Sequence, residues 1–247
     1  AKALIDQDDC TMGWLPVPGP LMSSALPVFD RESFSITGAD EDHQSLIWVL
    51  GWPWAGRELV LAALAQIEGA QMLPLAEGAT RHEHLGLFAG EPYSVQIDQD
   101  QIHQMRRRYL RGADENAKVW VDPYPCKAAD LIRMRQVFPK SVAIRVNCSP
   151  EYLALQWHLA GYAAVDSMIE AWKSEQVALD HLMDSPEIRI ISVSLDALLD
   201  PQRCAETVVE LISALGQSAN PKMSAHVQAL IQRHGYRSPN HWEYYFK

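Results

Sequence analysis

From Leu46 onward, short apolar runs alternate with longer stretches of helical spacing, and this alternation limits what the chain can fold into. Leu46 to Leu50, Lys118 to Asp122, Val142 to Val146 and Ile188 to Val193 are each too short for a core helix. Their nearly continuous apolar character suits strands covered on both faces. Between them, Glu58 to Gln66 has helical spacing and is closed by Gly69. Gln96 to Gly112 and Ala128 to Val137 also predict helices. Pro150 opens another at its first turn, and that pattern breaks at Gly161 and resumes to about Met183. A last helix is expected from Asp200-Pro201 to Leu215. The Gly- and His-rich stretch from Glu77 to Pro92 reads as a loop, and the tail to Lys247 as polar and aromatic. Strands and helices in this order imply an α/β fold with a central, mostly parallel sheet and helices on both faces.

Residues 1–45 differ from the rest. Three prolines in Leu15-Pro16-Val17-Pro18-Gly19-Pro20 forbid helix and central strand, so this part reads as an arm or linker ahead of a domain spanning 46–247. At 48% hydrophobic and 21% charged residues the chain is too apolar to be disordered. No run is long and apolar enough to span a bilayer, and no basic-then-apolar leader opens it, so neither a membrane partner nor a signal peptide is expected. Its formal charge of −10 disfavours non-specific nucleic-acid binding. Cys10, Cys126, Cys148 and Cys204 form no C-x-x-C pair, which predicts free thiols in a reducing, cytoplasmic setting. Arg106, Arg107, Arg108 and Arg111 fall on one helix, with Arg107 and Arg111 sharing a face; a solvated, self-neutralising face is expected, with an acidic partner or a phosphate as the alternative. Arg81-His82-Glu83-His84 offers a proton relay, but an H-x-H pair lacks the i, i+4 register for a metal, and no metal site is expected.

The first strand runs directly into Gly51-Trp52-Pro53-Trp54-Ala55-Gly56-Arg57-Glu58-Leu59. Glycines at a strand–helix junction let backbone N–H groups approach an anion at the positive end of the helix. The spacing Gly51-x-Pro53-x-x-Gly56-x-x-Leu59 resembles the donor loop G-x-P-R-S-G-T-T-L of the sulfotransferases that use 3′-phosphoadenosine 5′-phosphosulfate (PAPS). Arg108-Tyr109-Leu110 with Val121-Asp122-Pro123-Tyr124-Pro125 is similar to the family's Y-L and D-K-x-P segments. Phe138-Pro139 to Ile144, followed by Pro150, resembles its F-P-x-A-x-x-I block. Met168 to Trp172, Val193 to Pro201 and His241 to Tyr245 resemble its M-x-x-W, V-x-Y-E-D-L-x-x-D-P and R-W-x-x-Y stretches. The order and spacing agree over 46–247. The resemblance implies a three-layer, P-loop-like fold with PAPS as cofactor. The nearest subgroup is the bacterial and tyrosylprotein type, often joined to upstream tetratricopeptide repeats, so an upstream repeat domain or protein partner is implied.

The departures fall where the family binds its donor. Within the loop of Gly51, Pro53 and Gly56, Trp54 stands at the family's arginine. Ala55 stands at its serine, and Arg57 and Glu58 at its two threonines. Pro123 replaces the lysine, while Cys148 and Gln156 replace the arginine and serine that would hold a 3′-phosphate. Trp52 and Trp54 therefore stack on a planar ligand or plug a vacated pocket. The expectation is a non-catalytic binding or assembly module that keeps the fold and has lost its donor contacts. The alternative is a divergent active sulfotransferase with Glu77 as catalytic base and Arg57 or Arg81 compensating at the donor.

Overall fold

A computed structural model describes residues 45–52, 54–85, 97–114, 116–124, 127–184 and 188–234. The expected arm before Ser45, Pro53, Cys10, Cys126 and the His241–Tyr245 stretch lie outside the described residues.

Five strands form one all-parallel sheet in the order β2-β3-β1-β4-β5. They are β1 (Ser45–Leu50), β2 (Ala70–Met72), β3 (Val119–Asp122), β4 (Val142–Asn147) and β5 (Arg189–Ser194). The helices that flank the sheet give the expected three-layer, P-loop-like α/β architecture. Leu46 to Leu50 and all four residues of β3 are buried, as a strand covered on both faces requires. β2 escapes the sequence pattern because it is three residues long and only half-buried at the sheet edge.

Helix α1 (Arg57–Leu64) buries Leu59, Val60, Ala63 and Leu64. Its N-cap is Gly56 at φ 88°, and a Cβ there would lie 2.5 Å from Leu195 Cδ1. Both the backbone conformation and the space demand glycine. Helix α2 (Gly78–His84) replaces the first half of the loop expected from Glu77 to Pro92. Glycine and histidines are poor helix formers, so local pattern hides it. Tertiary contacts hold it instead: Gly78 lies so close under Tyr124 that a Cβ would reach 2.2 Å from the ring.

Helix α3 (Gln99–Tyr109) opens with a capping box. Asp98 accepts from Gln101 N at 2.7 Å, and Gln101 accepts from Asp98 N at 3.0 Å. Helix α4 (Asp130–Val137) leads into β4. Helix α5 (Pro150–Leu159) is capped by Ser149, and Gly161 at φ 82° separates it from α6 (Val165–Met183) as expected. After β5 come α7 (Leu195–Leu199), α8 (Cys204–Ala214) and α9 (Pro221–His234). Part of the tail read as merely polar and aromatic is therefore helix. Met223 and Val227 of α9 are fully buried in the core that also takes in Leu59, Ala63 and Ile144.

Candidate functional site

The chain leaves β1 toward the β2–β3 side and leaves β4 toward β5, so these two neighbouring strands diverge. In open parallel sheets a crevice forms beyond the carboxyl ends of such a pair. The structure brings three of the sequence-selected groups to this edge. They are the 51–58 loop, Cys148 with the first turns of α5, and Asp122-Pro123 at the end of β3. Gly56 packs against Val146 of β4 and Leu195 of α7, which draws the loop toward the end of β4.

The loop is tied down by its aromatic residues. Trp52 donates its indole N–H to Glu175 on α6 in a short hydrogen bond, and the other Glu175 oxygen accepts from Ala128 N at 3.2 Å. The Trp52 ring lies 5.7 Å from that of the buried Trp157. Burial raises the Glu175 pKa, against the lowering by Trp52, Ala128 N–H and Lys127. Trp54 has φ 67°, and the turn closes with Ala55 N on Trp52 O at 3.0 Å. A positive φ of this size is a conformation in which glycine is the usual occupant. The half-buried Trp54 packs against the core.

Arg57 does not enter the loop. It donates to Pro123 O at 3.1 Å, and its guanidinium lies 3.7 Å from Glu58. Its Nε–H is buried and has no partner among the described residues. Cys148 is half-buried, and its thiol is pushed up to about 12 by burial, with Asp196 adding to the effect and Arg145 opposing it. Arg145, the nearby cation, is turned away onto Gln176 Oε1 at 2.9 Å and Asp180 Oδ1 at 2.5 Å. Tyr152 is buried beside Cys148 and Asp196 with no partner for its hydroxyl among the described residues, and burial raises its pKa. Gln156 is buried one turn further along α5.

Glu77 ends a single 3₁₀ turn (Leu75–Glu77) and occupies the N-cap position of α2 without capping it. It is exposed, and its carboxylate makes no hydrogen bond or ion pair among the described residues. The structure therefore does not bring it into contact with the loop or with Cys148.

A buried hub that the sequence pattern did not reveal lies next to this edge. Asp122 is wholly buried, and its Oδ1 accepts from Arg81 at 3.1 Å and from Tyr124 N at 2.8 Å. Its Oδ2 accepts a short hydrogen bond from the Tyr109 hydroxyl and lies 3.2 Å from His82 Nε2. Tyr109 in turn accepts from Trp48 Nε1 at 2.9 Å. Burial alone would raise the Asp122 pKa, but His82, Tyr109 and Arg81 outweigh it and hold the carboxyl below its ordinary value. Burial, followed by the Asp122 charge, lifts the Tyr109 pKa well above normal.

Arg81 and His82 thus hold α2 to the end of β3, while Glu83 points to solvent and His84 is half-buried. The available signal was a carboxylate closing an otherwise apolar strand. Among the described residues no three His, Cys, Asp or Glu side chains gather to hold a metal ion. No family model matches this chain, and no curated protein matches it.

Proposed function

We propose that this chain is a sulfotransferase-like domain that does not use a PAPS donor and serves as a binding or assembly module. The observation that carries this reading is the Trp52–Glu175 tie. It puts a partly buried carboxylate and an indole at the loop where a donor anion would need N–H groups and cations. The neighbouring residues agree. Glu58 stands in the first turn of α1, where a carboxylate competes with a phosphate for the helix dipole. Arg57 is engaged with Pro123 O, and the high thiol pKa keeps Cys148 uncharged. The residues present do not fit the 5′-phosphosulfate or the 3′-phosphate of PAPS. Each charge-assisted bond to phosphate is worth about 1.5–3 kcal/mol. Losing two or three would cost about 3–9 kcal/mol, roughly two to six decades of affinity. Isothermal titration with PAPS and with its desulfo product should give no saturable heat up to millimolar ligand. A micromolar dissociation constant for either would overturn the reading.

One observation favours a divergent transferase: the buried Nε–H of Arg57 at the start of α1, which has no partner among the described residues. In that reading Arg57 is the donor cation and Glu77 the base for an acceptor hydroxyl. A sulfation assay on wild type, Arg57→Met and Glu77→Gln tests it, since equal turnover by all three removes both roles.

A further inference from the structure

At the amino-terminal edge of the sheet, opposite the crevice, stand exposed cations drawn from the one basic stretch of the chain. Between Gln101 and Asn147 stand ten Lys or Arg against four Asp or Glu, while outside it eleven face twenty-seven. Five of these ten cations stand exposed at this edge. Arg106 turns inward and donates to Val137 O, which brings the carboxyl-terminal ends of α3 and α4 side by side. Arg107, Arg108 and Arg111 are left exposed. Lys118 immediately precedes β3 and Lys140 precedes β4 by two residues, so both exposed lysines belong to the same edge.

The face is solvated, as expected, and none of these five side chains makes a hydrogen bond or ion pair among the described residues. No carboxylate stands three or four positions from Arg107 or Arg108, and the Asp114 carboxylate receives both N–H groups offered by Asn116. The helix dipole favours cations at the end of α3, but that effect fades within one turn. It does not account for the two lysines, and Arg107 and Arg111, four apart, repel each other.

We propose that this edge docks an acidic segment of a partner protein, whose carboxylates are received by Arg107, Arg108 and Arg111 with Lys118 and Lys140 flanking them. Forked guanidinium groups suit paired acceptance of carboxylates. A nucleic acid would want exposed aromatic rings between the cations, and Tyr109, the aromatic residue of α3, is fully buried. A lipid surface would want apolar side chains beside the cations. The exposed large apolar residues Leu159, Val177, Met183 and Val209 lie on α5, α6 and α8 instead. The proposal does not depend on the donor crevice, which opens at the other edge.

The test uses a fluorescein-labelled octaglutamate peptide and fluorescence anisotropy at 50 and 300 mM NaCl. Wild type should bind at low salt and weaken at high salt. Arg107→Gln/Arg108→Gln/Arg111→Gln should lose roughly tenfold in affinity, whereas Lys173→Gln/Lys222→Gln/Arg233→Gln, equal in charge, should bind like wild type. Single arginine variants give the same reading if the triple variant folds poorly. Absence of binding, or an equal loss in both triple variants, overturns the proposal. So does tighter arginine-dependent binding of a single-stranded oligonucleotide or of phosphatidylserine vesicles. Sedimentation velocity provides a last check: an arginine-dependent dimer at 50 mM salt would make the partner a second copy of this chain, and the proposal would fall.

Discussion

The indole N–H of Trp52 meets the carboxylate of Glu175 across 123 positions of sequence, joining the β1–α1 loop to the middle of α6. Because burial raises the Glu175 pKa, the folded state holds this proton more tightly than the unfolded state does. The contribution is complete below the ordinary glutamate pKa of about 4.3 and is lost as pH rises through the folded value. Glu175→Gln removes that titration. Thermal melts from pH 4 to 7 should show wild type losing ground to Glu175→Gln as pH increases. Parallel curves would count against the assigned direction.

Asp122 runs the opposite way. Its carboxyl is held low, so its contribution is present above the ordinary aspartate range and disappears as pH falls through the folded value. Asp122→Asn leaves Arg81 buried without its counter-charge. Breaking a buried pair of this kind costs about 3–5 kcal/mol. Urea denaturation at pH 7 should record that loss, and the gap to wild type should narrow by pH 3.

Trp54 provides a test of backbone strain. A side chain at φ 67° costs about 1–2 kcal/mol that glycine does not incur. Trp54→Ala loses the indole packing and keeps the strain, whereas Trp54→Gly loses the packing and relieves it. The glycine variant should therefore be the more stable of the two by about 1 kcal/mol in urea titrations, contrary to the usual ranking of alanine above glycine.

Cys148 should be chemically quiet. With its thiol pushed up to about 12, little thiolate exists at pH 8.5. Iodoacetamide labelling, read by mass spectrometry at the Cys148 peptide, should be at least about tenfold slower in the native protein than in urea. Equal rates would show that the thiol is neither sheltered nor shifted.

The parts of the fold that were readable from sequence are those whose cause is local. β1, β3 and β4 announce themselves as short apolar runs, and Gly161 marks the break between α5 and α6. β2 is too short to carry a pattern, and in α2 a glycine and two histidines dilute the helical signal. Its anchors, Arg81 and His82, take their meaning from Asp122, about forty residues later. At the crevice the glycines of the strand–helix junction, Gly51 and Gly56, could be found by spacing. The engagement of Trp52 with Glu175 and of Arg57 with Pro123 O could not, because each pairing depends on which elements the sheet order brings together.

That sheet order also sets a timetable for synthesis. β1 is central, yet its first described neighbour, β3, begins 69 residues after Leu50, and β4 follows later still. At about 5–20 residues per second the ribosome would hold the Leu46–Leu50 segment without a flanking strand for about 3–14 s. During that interval Trp48, which ends up 1% exposed, has no sheet to enter. The nascent chain thus presents its most apolar strand to the cell's chaperones well before it can pair.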